Sequence, residues 1–160
     1  MKASTISTLK KELSALPAID VINVCMKLAK YKKENKELLS YLLFDSNDEK
    51  EFIRSVKQEI ETQFAQLKFL QIYYQNKSIR KILRITNKYI KYSGNKQTEV
   101  ELLICFCTSI KNSGIPIRLS TSLSNLYKNQ VRKIQIANGA LHEDLQYDYQ
   151  QEIEGLDFLK

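Results

Sequence analysis

The chain has 160 residues, 43% of them apolar and 27% charged, and carries a net charge of +7. A domain of that length buries roughly 70% of the surface its unfolded form exposes, and the apolar share excludes a disordered chain. Only four glycines and two prolines occur. That is too few for a turn-rich β-sandwich or barrel, and no apolar run approaches the ~20 residues a membrane-spanning helix needs.

Periodicity predicts a first helix over about Ser4–Leu16, because Ile6, Leu9, Leu13 and Leu16 recur at spacings of three and four. Pro17 suits the first turn of a second helix running to about Tyr31, with Ile19, Ile22, Met26 and Leu28 near one side. Asn35 is a cap for a third helix, Lys36–Phe44. Ser46-Asn47-Asp48-Glu49 matches the S-x-x-E capping box and opens a fourth. Its apolar period, from Phe52 through Ile60 to Leu67, predicts a helix continuing to about Tyr74, with a kink near Lys68.

Asn76 is read as the cap of a helix over Lys77–Tyr92, ended by Gly94 at the position after the helix. Thr98-Glu99-Val100-Glu101 is a second capping box, and Gly114 followed by Pro116 is a strong stop. Residues 112–121 form the longest expected loop. A helix from Thr121 or Ser122 to Gly139, and a last one over about Ala140–Ile153, complete the chain. No segment alternates strictly between apolar and polar, so no sheet is expected. The fold class is all-α: about eight helices in antiparallel pairs within one domain, residues 1–160. They form either an α-superhelix of the HEAT or armadillo kind or a compact helical bundle. No family motif accompanies that architecture.

Charge is unevenly spread. Residues 1–61 sum to +1, residues 62–142 to +11 and residues 143–160 to −5, an asymmetry that points to a polyanionic partner or an internal electrostatic contact. From Thr62 to Thr98 there is no acid at all and there are eight basic residues. Six of them, Lys77, Arg80, Lys81, Arg84, Lys88 and Lys91, fall within an arc of about 100° at about 100° per residue. Ile79, Ile82, Leu83, Tyr89 and Ile90 lie on the opposite side. Like charges one turn apart repel by a few tenths of a kcal/mol per pair, and this stripe has no local acid to relieve them. Its length, about 21 Å at 1.5 Å per residue, follows several phosphates of a nucleic-acid backbone. Lys111, Arg118, Lys128, Arg132 and Lys133 would widen it. The bland alternative is a solvated lysine face.

The remaining chemistry is sparse. Cys105 and Cys107 point about 200° apart on a helix and cannot hold one metal ion, and Cys25 lies far from both in sequence. All three read as small buried apolar groups in a reducing compartment. His142 is the only histidine and reads as an ordinary residue at the start of the last helix. Without a Gly-rich phosphate loop or a nucleophile elbow, no catalytic residue, metal or cofactor is expected. The first twenty residues lack the apolar core of a signal peptide, so the chain reads as cytoplasmic. A membrane partner is not expected, because interfacial helices anchor with Trp or Phe on a face free to insert.

The function expected from the sequence is therefore a non-catalytic helical module that binds a polyanion, RNA or DNA backbone, through the stripe. The alternative is a protein–protein scaffold in which the stripe meets an acidic partner. The −5 charge of residues 143–160, most of it on the last helix, is a third candidate for satisfying it, from within the molecule.

Overall fold

The computed structural model of the chain describes residues 2–67 and 72–156. Among the described residues there are eight α-helices, one π-helical turn, one short 3-10 turn and no strand. The all-α class expected from the helical punctuation is the one the chain adopts. The chain divides into two compact units, Met1–Phe44 and Asp45–Lys160.

In the first unit, α1 (Ile6–Ala15) opens at Thr5, whose hydroxyl oxygen accepts from the Thr8 amide at 3.2 Å. Leu16 and Pro17 are both extended. Pro17 thus precedes α2 (Ala18–Tyr31) as its cap instead of entering the first turn. α2 packs against α3 (Lys33–Ser40) along Val21, Cys25 and Ala29, the residues of α2 that are not exposed. Asn35 does not cap α3, which has already begun at Lys33. Its Nδ2 instead donates to the Leu28 carbonyl at 2.8 Å and closes the end of α2. The last turn widens into a π-helical segment, Tyr41–Asp45.

The second unit is arranged around α6 (Lys96–Asn112), which packs against α4 (Glu49–Leu67), α5 (Ile72–Ser93) and α7 (Thr121–Asn138). α8 (Glu143–Gly155) packs against α7. The reason for the central place of α6 is in its composition. Leu102 to Cys107 is an unbroken apolar run, buried at every position, and a helix apolar on all sides must be covered on all sides. Phe106 is fully buried and meets the Phe64 ring edge-on at 5.6 Å between centroids.

Two caps differ from expectation by less than one turn. Asp48, not Ser46, accepts from the Glu51 amide at 3.0 Å, and Asn95, not Thr98, accepts from the Gln97 amide at 2.8 Å. The displaced partners have another use. The Glu49 carboxylate accepts from the hydroxyls of Ser93 and buried Thr98, fastening the start of α4 to the end of α5 and the first turn of α6. Gly94 and Gly114 have φ of 66° and 72°, the left-handed conformation that makes glycine the favoured helix terminator. The long helix expected to reach Tyr74 is two helices; the kink expected near Lys68 lies outside the described residues. The loop at 112–121 holds the 3-10 turn Ile117–Leu119.

Removing the Phe106 ring should cost about 3–5 kcal/mol, the usual loss for a buried Phe→Ala. Leu119, 86% exposed, should change stability by less than about 0.5 kcal/mol when replaced by alanine. Urea unfolding of Phe106→Ala and Leu119→Ala measures both; equal losses would remove α6 from the centre of the unit.

Candidate nucleic-acid interface

α5 positions the stripe by committing its other side. Ile79, Ile82 and Thr86 are buried, and the Thr86 hydroxyl donates to the Ile82 carbonyl at 3.0 Å, which satisfies that hydroxyl within the helix. Tyr89 also turns inward, its hydroxyl donating to Glu59 Oε2 at 3.0 Å and its ring meeting Phe52 edge-on. With that side fixed, Lys77, Arg80, Lys81, Arg84 and Lys91 are all exposed. Among the described residues, none of these five forms an ion pair.

Lys88 differs from the other five. It is half-buried, and its ammonium lies 5.1 Å from the Tyr89 ring centroid and 5.8 Å from that of Tyr92. Cation–π attraction of this kind holds the charge against its own helix. The stripe thus presents five outward cations and a sixth drawn back onto aromatic rings.

Sequence reasoning missed one neighbour. Arg80 Nη2 donates to Ser122 Oγ at 2.7 Å, which brings the first turn of α7 beside the stripe. That end of α7 is the positive pole of its dipole, and from Leu102 to His142 the chain again has no acid. Tyr74 is 53% exposed and, because α5 begins before Asn76, it falls on the Lys81 edge of the stripe. Extending the helical wheel back past Lys77 finds Tyr74; nothing in the sequence announces the Arg80–Ser122 contact across 42 residues.

Asn76, Lys77, Ser78, Arg80, Lys81 and Arg84 line a cleft of about 560 Å³. Asn76 is inside α5 and not its cap: its carbonyl accepts from Arg80 Nη1 at 3.5 Å. Its enclosed Oδ1 has no hydrogen-bond partner among the described residues. The arrangement can hold an anion of several charges, with forked guanidinium donors at Arg80 and Arg84 and point charges at the lysines.

The acidic C-terminal helix does not supply that anion. Among the described residues, no α8 carboxylate pairs with the stripe. α8 is engaged elsewhere: the Tyr149 hydroxyl donates to Glu101 Oε1 at 2.8 Å, and Lys57 Nζ pairs with Glu101 Oε2 at 2.7 Å. These groups edge a second cleft of about 540 Å³, which Glu61 and Glu152 also line. Burial pushes the Glu101 carboxyl up, but hydrogen bonds from Lys57 and Tyr149 outweigh it and hold it below the usual carboxylate range. Tyr149 is pushed up to about 12 by burial and by the carboxylate it faces.

The reactive residues found in the sequence have structural places. Burial pushes the Cys105 thiol up to about 11, and Cys107 is shifted further in the same direction, the opposite of an activated thiolate. His142 caps α8, its Nδ1 accepting from the Asp144 amide at 3.4 Å. Among the described residues, no three His, Cys, Asp or Glu side chains are grouped to hold a metal ion, and no helix is long and apolar enough to cross a membrane.

No protein-family model, curated protein or solved structure matches the chain.

Glu101 has a folded pKa below its unfolded one, so its contribution is complete above the unfolded value, about 4.3, and fades as pH falls through the folded value. Glu101→Gln should be less stable than the parent at neutral pH, and the gap should close in acid. Denaturant unfolding across that range checks it; a gap independent of pH would mean the carboxylate charge is not involved. For Tyr149 the sign reverses. Its raised pKa gives a contribution present below about pH 10 and lost as pH rises through about 12.

Proposed function

We propose that the chain is a non-catalytic helical module that binds the phosphate backbone of RNA or DNA through the α5 stripe. The observation that carries this reading is the set of five exposed cations, Lys77, Arg80, Lys81, Arg84 and Lys91, without an ion pair to any described acid. A surface charged for solubility gains nothing from excluding acids over 37 consecutive positions, Thr62 to Thr98. A surface that exchanges its counterions for phosphates does. Arg80 and Arg84 make forked contacts, and the three lysines follow the backbone on either side.

The same geometry argues against base-specific readout. Tyr74 is one exposed ring at the edge of the stripe, whereas single-strand binders stack successive bases on several. Recognition is therefore of backbone charge and spacing. The cytoplasm is the setting that the odd cysteine count supports. The scaffold alternative, in which the stripe meets an acidic protein, finds little apolar anchorage here. Tyr74 is the only large apolar side chain of α5, among those described, that is strongly exposed, and protein interfaces concentrate their energy in such anchors.

Binding of single-stranded RNA, single-stranded DNA and duplex DNA, each titrated with salt, tests the proposal. Five phosphate contacts give a logarithmic salt slope of about −4 to −5 on duplex DNA. Arg80→Glu, Arg84→Glu and Lys91→Glu together should abolish measurable affinity while far-UV circular dichroism stays unchanged. Lys88→Ala should cost little, since its charge already rests on Tyr89 and Tyr92. Affinity that survives the triple change would exclude the stripe as the site.

A further inference from the structure

Contacts within the second unit fix the direction of α7 against α5. Gln75, near the start of α5, donates to the Leu67 carbonyl at the end of α4, and Ser93 at the end of α5 meets Glu49 at the start of α4. Those two helices are antiparallel. Glu49 also meets Thr98, and Phe64 meets Phe106, so α4 and α6 run the same way. α8 runs with α6 as well, because Tyr149 reaches Glu101 and the Gly155 carbonyl accepts from Lys111. α7 opposes α8: Tyr127 donates to the Leu156 carbonyl, and Asn138 to that of Gln146. α5 and α7 therefore both oppose α6 and run in one direction. The 2.7 Å contact from Arg80 to Ser122 sets their register, which at equal rise brings Lys133 level with Lys91.

The face of α7 that Arg80 touches is itself a polar and basic row. Ser122, Asn125, Asn129, Arg132 and Lys133 recur at helical spacing and are all exposed, and exposed Lys128 borders them. The row is about 16 Å long at 1.5 Å per residue. Among the described residues, Lys128, Arg132 and Lys133 form no ion pair. Lys111, by contrast, is engaged with the Gly155 carbonyl at 2.8 Å. Two lines of cations thus lie side by side on helices that share α6 as their support. Packed helices are about 8–10 Å apart, so the two lines are separated by at most about 20 Å. Long arginine and lysine side chains at that separation reach both backbones flanking a duplex groove, which is roughly 6–12 Å wide.

We propose that the polyanion held by α5 is a duplex, and that α7 contacts its second strand. The proposal rests on the α5 stripe being the phosphate-binding surface and names what that surface holds. A single strand offers one line of phosphates and gains much of its affinity from bases stacked on exposed rings. Here Tyr74 is the one strongly exposed ring described on α5 or α7, and Tyr127 of α7 is buried. A duplex keeps its bases stacked on one another and presents two lines of phosphates, so it asks for charge on two rows and for no rings. The amides of Asn125 and Asn129, set along the α7 row, are donors suited to phosphate and sugar oxygens. The chain has no acid from Leu102 to His142, so nothing local opposes a phosphate there. Duplex RNA and duplex DNA share this backbone chemistry.

Fluorescence anisotropy of the full chain against duplex RNA, duplex DNA and their separated strands, at several salt concentrations, is the test. At least one duplex should bind more tightly than its single strands. Five contacts from α5 and three from α7 give a logarithmic salt slope of about −7 on duplex DNA. Replacing the α7 cations together, Lys128→Gln, Arg132→Gln and Lys133→Gln, should weaken duplex binding on the order of 100-fold at 0.1 M salt and return the slope to about −4 to −5. Single-strand affinity should not change, which also reports that the variant is folded. Should the variant unfold, the duplex preference and slope of the unaltered chain still decide. Single strands bound as tightly as duplexes, an unaltered duplex affinity in the variant, or an equal loss on both substrates with circular dichroism unchanged would overturn the proposal. Each of those results leaves α5 as a phosphate-binding surface. That reading fails only when Arg80→Glu, Arg84→Glu and Lys91→Glu together leave affinity intact, or when the unaltered chain binds no nucleic acid.

Discussion

Burial of α6 is the constraint on which the second unit depends. Six consecutive apolar residues, Leu102 to Cys107, leave no side of that helix fit for water, so its neighbours must close around it. α4, α5 and α7 each contribute one apolar line to that task and keep a polar side for solvent. The orientation of α5 follows directly. Once Ile79, Ile82 and Thr86 face inward, the rotation of the helix is fixed, and the cations at Lys77, Arg80, Arg84 and Lys91 have only one direction in which to point. The charged surface is thus a consequence of core packing one layer beneath it.

Much of this was legible in the sequence, and what was not legible has a common cause. The helical periods, the stops at Gly94 and Gly114, and the stripe itself are local features, set by spacing and by backbone conformations that glycine adopts easily. The helix starts were harder because several residues able to cap lie within one turn of each other. Ser46 and Asp48 compete for α4, and Asn95 and Thr98 compete for α6. The choice is made by a residue far away in sequence: Glu49 accepts from Thr98 and Ser93, leaving Asn95 to cap α6. The Arg80–Ser122 contact escaped for the same reason. A helical wheel groups Lys88 with the other cations because it shows direction and not the rings a long side chain folds back upon.

The apolar residues of α1 and α2 teach the converse lesson. Their spacing reads as the inner face of a helix, and in sequence it cannot be told apart from that of α4. Yet Phe52, Ile53, Val56 and Ile60 of α4 are buried, while Ile6, Leu9, Ile19 and Ile22 are exposed. Amphipathic periodicity states that a helix needs a cover and leaves open whether the same chain supplies it.

The unpaired stripe also bears on the protein's own stability. Five like charges held on successive turns of one helix store repulsion, on the order of 1–2 kcal/mol in total at a few tenths per neighbouring pair. That repulsion is largely absent from the unfolded chain, where the same residues can move apart. Counterions screen it within about 10 Å at 0.1 M salt. Added salt therefore acts in two opposite senses on the same residues: it strengthens the folded state of α5 while it competes with any phosphate backbone for the surface α5 displays. A bound polyanion would do both at once, relieving the strain of the stripe as it occupies it.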